Sequence, residues 1–170
     1  MKLLDKLFRR PLISGGCLTH GMIQTAIEAS GQIGESKFIG KNINANSYDL
    51  RIGSTMTVYS GATLFDLHDT ASYASKMDSY TIGDEGVIIR PGISYTFMSE
   101  ENCQDVISSA PMLVIGTDLA NKVGIRVLPS FRSSGTTGHI PINIIPTLPI
   151  RIYPGDPLAQ AIFFTPAVVN

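Results

Sequence analysis

The side chains able to do chemistry are few in this sequence, and they are scattered. His20, His68 and His139 lie far apart, and none forms a spaced ligand pair such as H-x3-H. His68 stands beside Asp66 and Asp69, three polar groups that read as a solvated loop rather than a metal site. Cys17 and Cys103 could form one bridge, but two reduced core thiols in an intracellular protein fit better. Neither cysteine pairs with a histidine in a nucleophile pattern, and no G-x-S-x-G elbow occurs. No G-x-x-x-x-G-K-[ST] or G-x-G-x-x-G loop is present to cradle a phosphate. Generic motifs thus name no metal, no nucleophile and no phosphate site.

The elements that would carry a site are clearer. With 170 residues, 44% of them apolar, the chain is long enough for one domain with a single core. Thirteen basic against 14 acidic side chains give no basic field for a nucleic-acid polymer. No run of 18 apolar residues exists to span a membrane. Residues 1–17 form an N-terminal amphipathic segment, with Leu3, Leu4, Leu7 and Phe8 on one helical face before Pro11. It lacks the features of a signal peptide and suits docking on its own domain or a partner. The domain proper spans 18–170. There Thr19 can cap a helix whose Met22, Ile23, Ala26 and Ile27 recur at helical spacing, ending at Ser30-Gly31. Beyond residue 42 the period falls to two. Strands are predicted over 47–52, 55–59, 80–82, 87–89, 93–98, 112–115, 125–128, 140–145, 150–153 and 158–164. Polar stretches over 67–76, 99–109 and 130–138 read as breaks or surface loops. About ten short strands after one helix describe a β-sandwich or barrel.

Five segments in collinear order resemble the dCTP deaminase/dUTPase superfamily. Ile43-Asn44-Ala45-Asn46-Ser47-Tyr48-Asp49-Leu50-Arg51-Ile52-Gly53 is similar to its opening "I-x-x-A-S-V-D-L-R-L-G" strand, and the helix leaving through Gly31-Gln32-Ile33 to its N-terminal helix. Ile89-Arg90-Pro91-Gly92 resembles the family's hairpin, and Gly116 to Ile125 the helical motif "G-R-S-S-L-A-R-L-G-L". Leu148-Pro149-Ile150, Tyr153-Pro154-Gly155-Asp156 and Ala159-Gln160-Ala161-Ile162-Phe163 resemble the closing strands. The resemblance implies a mainly β, dUTPase-like distorted jelly-roll barrel with one or two short N-terminal helices, assembled as a homotrimer with nucleotide sites at subunit boundaries. It also implies a glutamate that activates water, serine and arginine that hold phosphates and base, and Mg2+ that arrives only with a triphosphate. No other cofactor is expected.

Residue by residue, this chain departs from those roles. Thr117, Asp118 and Leu119 stand where the resemblance asks for arginine and two serines, and Lys122 where a later arginine falls. A carboxylate at Asp118 would repel a triphosphate: like charges about 4 Å apart cost about 4 kcal/mol at an effective dielectric of about 20. Leu128 occupies the aspartate position and Asn143 the glutamate position, and an amide takes no proton near neutral pH. Arg132-Ser133-Ser134-Gly135 superficially matches the phosphate motif, but its neighbours do not fit a helix, so it reads as a loop. Asp49 and Gln160 match family positions, Asp49 as a structural carboxylate and Gln160 facing either a nucleotide or a subunit boundary.

Three functions follow. The first is a non-catalytic homotrimeric scaffold, cytoplasmic or part of a virion, of the kind that decorates a capsid or docks other proteins. The second is a nucleotide-binding sensor or sequestering module, with Thr117, Asp118, Lys122 and Gln160 as the binding candidates. The third is a divergent dCTP deaminase or dUTPase hydrolysing deoxynucleoside triphosphates. Convergence of Asp118, Glu100, Glu101 or Asp105 with a cation on a cleft would favour the enzyme.

Overall fold

The computed structural model describes residues 16–31, 38–59, 68, 77–103 and 110–165. The expected N-terminal helix over Leu3 to Phe8 lies outside the described residues, as do Asp66, Asp69, Asp105 and the Gln32-Ile33 exit. Helix α1 (His20–Gly31) starts one residue after Thr19, and it buries Ile23, Ala26 and Ile27, the apolar positions at helical spacing.

The strands are β1 (Tyr48–Leu50), β2 (Ile52–Tyr59), β3 (Met77–Thr81), β4 (Val87–Ile89), β5 (Tyr95–Cys103) and β6 (Met112–Gly116). After helix α2 (Asp118–Lys122) follow β7 (Ile125–Val127), β8 (Ser130–Arg132), β9 (Gly138–Pro146), β10 (Ile150–Ile152) and β11 (Ala159–Phe163). They form a five-stranded sheet in the order β3-β2-β5-β9-β7, a four-stranded sheet β1-β11-β6-β8 and a two-stranded β10-β4 pair. All pairings are antiparallel. This is a mainly β, distorted jelly-roll barrel. Its interior is filled by alternate residues of the long strands: Tyr95 and Phe97 from β5, Ile140, Ile142 and Ile144 from β9, Ala159, Ala161 and Phe163 from β11.

Three stretches differ from the sequence expectation: the break expected between 52 and 55 falls instead at Arg51, and β2 runs unbroken through Gly53 and Ser54. β5 does not stop at Met98 but runs through the polar residues to Cys103, with Ser99, Glu101 and Cys103 continuing its buried face. Residues 130–138 are not one long loop: β8 pairs with β6, placing Phe131 opposite Leu113. A tight turn follows, in which the Thr136 amide and hydroxyl both donate to the Ser133 carbonyl. The cysteines are free, but only Cys103 is buried; Cys17 is exposed rather than a core thiol.

Candidate functional site

The segment from Gly116 to Ile125 carries a short helix, α2, as the resemblance implied. Thr117 is the N-cap of α2: its Oγ1 accepts from the Ala120 amide at 3.1 Å and donates to the Pro157 carbonyl at 3.1 Å. That cap is buried at 5% exposure, so its hydroxyl is committed to the fold. Asp118 lies in the first turn and Lys122 in the last, both exposed and each of the sign the helix ends favour. Gly124 closes the motif at φ +76°, where a Cβ would run into the Thr147 hydroxyl. Thr147 donates to the Gly124 carbonyl from its amide and its hydroxyl, each at 2.8 Å.

Gln160 is half-buried on β11, flanked in register by Asp49 of β1 and Ile115 of β6. Asp49 is held by a side chain rather than by backbone: Asn44 Nδ2 donates to its Oδ1 at 2.8 Å, while Asn42 Nδ2 donates to its main-chain carbonyl. β6, which carries Ile115 beside Gln160, leads into α2, where Thr117, Asp118 and Lys122 follow.

Asn143 lies on β9 of the five-stranded sheet, and Leu128 directly follows β7. The Leu128 amide donates to the Asn143 carbonyl at 2.8 Å, so the chain brings together the two residues that the resemblance sets at its carboxylate positions. Asn143 is half-buried on the outer face of β9, since Ile142 and Ile144 take the inner one. Its Oδ1 accepts from Thr96 Oγ1 at 2.7 Å. Next to Thr96 in register stands Thr57, whose hydroxyl lies 3.3 Å from that of Ser79. This row of hydroxyls and one amide carries no group that would be charged near neutral pH.

Carboxylates do converge on a cation elsewhere. Between β1 and β2 the chain passes from one sheet to the other at Arg51. Glu101, with no exposed surface, accepts from the Arg51 amide at 3.0 Å and from its Nε at 2.8 Å. The Tyr48 hydroxyl donates to the same carboxylate at 3.3 Å, and Glu100 pairs with Arg51 Nη1. Burial works against the Arg51 charge, yet its bond to Glu101 and the fields of Glu101 and Glu100 hold the guanidinium above its ordinary value. Burial likewise pushes the Tyr48 phenol well above its ordinary value, although the Ile39 amide bonded to it pulls the other way. The alternation of β5 could have revealed Glu101 as an inward group had the polar stretch not been read as a break. Asp118 stands exposed on α2, and Asp105 lies outside the described residues.

The jelly-roll barrel carries the Gly116–Ile125 segment and the closing Gln160 strand in the order the resemblance asks for. The family model described as dCTP deaminase-like matches residues 17–165, and the chain belongs to that family. Among curated relatives, two proteins named "dCTP deaminase, dUMP-forming" come from Clostridium botulinum strains. They are 30% and 29% identical over 145 residues, covering 82% of this chain and 80% of theirs. A third of that name, from Hathewaya histolytica, is 29% identical over 125 residues, 72% of this chain and 69% of its own. In fold, the chain is similar to the crystal structure of 2'-deoxycytidine 5'-triphosphate deaminase from Agrobacterium tumefaciens, with a TM-score of 0.69 and 17% identity. That likeness covers 91% of this chain and 49% of the solved one, so this chain spans about half the length of that protein.

Proposed function

We propose that this protein is a divergent dCTP deaminase, acting slowly on pyrimidine deoxynucleoside triphosphates from sites at the boundaries of a homotrimer. The observation that carries the reading is the match to relatives named dCTP deaminase, dUMP-forming, across most of both chains. In the dUMP-forming version, one water replaces the 4-amino group and leaves ammonium; a second cleaves the bond between α- and β-phosphates and releases diphosphate. Mg2+ enters with the triphosphate. Among the described residues, no three His, Cys, Asp or Glu side chains gather to hold a metal of their own.

The slowness follows from Asn143. A missing general base costs about 10²–10⁴ in rate, and the Asn143 amide, bonded to Thr96, cannot supply one. Outward apolar side chains support the oligomer: Ile162, Leu113 and Phe131 form a row across β11, β6 and β8, and Phe131 is 63% exposed. Sedimentation giving a monomer would remove the boundary sites.

The amide at Asn143 favours a second reading, a module that binds a deoxynucleotide without turning it over. The capsid-decorating form of the scaffold has no such observation behind it, since the named relatives are enzymes. Incubation with dCTP and Mg2+, following ammonium, diphosphate and dUMP, separates the readings. Slow release that rises by about 100-fold or more in Asn143→Glu is expected. Saturable binding with no product from either protein leaves the binding module, and neither binding nor product overturns both.

A further inference from the structure

β5 loses register with both its neighbours at one level. Against β2 the pairing jumps from Ile52↔Ser99 to Met56↔Phe97, and against β9 from Met98↔Pro141 to Asn102↔His139. Between the two breaks opens a cavity of about 210 Å³, lined by Ser54, Thr55, Ser99, Glu100, His139 and Pro154, with Gly53 and Met98 completing it. We propose that this cavity binds an ammonium group, either free ammonium or the primary amine of a small molecule.

The lining is rich in acceptors. His139 Nδ1 lies 2.8 Å from the Ser99 carbonyl. A carbonyl only accepts, so Nδ1 carries a hydrogen, and the tautomer protonated there alone leaves Nε2 as an acceptor. Glu100 contributes a carboxylate. A Cβ on Gly53 would stand 2.7 Å from the Met98 carbonyl oxygen and 3.1 Å from that of Ser99. The missing side chain thus leaves both oxygens uncovered on that side.

Charge and size narrow the ligand. Glu100 and Glu101 share the single guanidinium of Arg51. The other nearby guanidinium, Arg132, donates to the carbonyls of Thr137 and His139 and not to either carboxylate. The two carboxylates therefore outnumber the cation paired with them, and an entering positive charge is favoured. The volume equals about seven waters at ~30 Å³ each, room for an amine of a few heavy atoms but not for a nucleoside triphosphate. Several N–H donors on one compact cation match these acceptors, whereas a quaternary ammonium offers charge without donors.

The site is independent of the nucleotide chemistry proposed above, and its test uses the full chain without nucleotide. Thermal unfolding is compared in ammonium, methylammonium, tetramethylammonium and sodium chlorides at equal ionic strength. A rise of about 3 °C in the first two over the last two is expected, and it should vanish in Glu100→Gln. His139→Asn, whose amide can still donate to the Ser99 carbonyl but which lacks Nε2, should weaken it as well. Amide NMR titration with methylammonium should give saturating shifts at Ser54, Thr55 and Glu100. An equal response to tetramethylammonium, an undiminished response in both variants, or no saturating shift at those residues overturns the proposal.

Discussion

Glu101 and Glu100 are neighbours in sequence and contact the same guanidinium, yet they do different work. Glu101 is sealed inside and satisfied by the Arg51 amide, Arg51 Nε and the Tyr48 hydroxyl. Removing it takes the acceptor from the Arg51 amide, Arg51 Nε and the Tyr48 hydroxyl at the corner between two sheets, so Glu101→Ala should cost about 3–5 kcal/mol. Glu100 sits at the rim with its side chain 28% exposed, and Glu100→Ala should cost less than about 1 kcal/mol. Denaturant unfolding of the two variants checks the contrast; similar losses would mean the corner is not held by the buried carboxylate. Only part of this was legible in sequence. The alternation that turns Glu101 inward was there to read, but nothing in a polar run announces that its partner is an arginine 50 residues earlier. Thr117 shows the reverse limit: its type suited a phosphate, and only the fold reveals its hydroxyl spent on Ala120 and Pro157.

Among the elements, α2 is too short to be stable alone, and it is set by its ends. Thr117 caps one end, and at the other Gly124 turns the chain so that Thr147 can bond its carbonyl. Gly124→Ala forces a Cβ onto φ +76° and against the Thr147 hydroxyl, and should cost about 2 kcal/mol. Thr147→Ala in the same background should recover little, because the backbone strain remains and a hydrogen bond is lost. A Gly124→Ala protein as stable as the parent would show that the turn relaxes freely. The strands with alternating apolar residues were legible from sequence for a physical reason: one face of each packs on the core. β8 was not, because Ser130-Phe131-Arg132 has no buried face to give it a pattern; its pairing with β6 alone defines it. The last five residues of β5 failed similarly, since the first inward groups there, Ser99 and Glu101, are polar.

For the whole molecule, the barrel stores titratable groups in forms that alkaline pH opposes. Burial pushes the Cys103 thiol up to about 12, and the field of Glu101 adds to this while Arg132 opposes it. Tyr48 shifts in the same direction. In both groups the folded state holds its proton more tightly than the unfolded chain does. Their stabilising contribution is therefore complete below the unfolded values, about 9 for the thiol and 10 for the phenol. It is lost as pH climbs from there through the folded values, because unfolding then releases protons. Stability should stay level on this account up to about pH 8.5 and fall steadily above about pH 9. Cys103→Ala should flatten the first part of that fall, and Tyr48→Phe the later part, although each variant begins from a lower plateau for the packing or bond it removes. Cys17, exposed at the edge where Gly16 and Thr165 bond to each other, gives an internal control. A thiol reagent at pH 8 should modify Cys17 within the dead time of mixing and reach Cys103 only at the rate of unfolding. Reaction of both thiols at one fast rate in the native protein would mean that the sheet around Cys103 opens without global unfolding, and the alkaline loss would then report local opening instead of the proton linkage of the barrel.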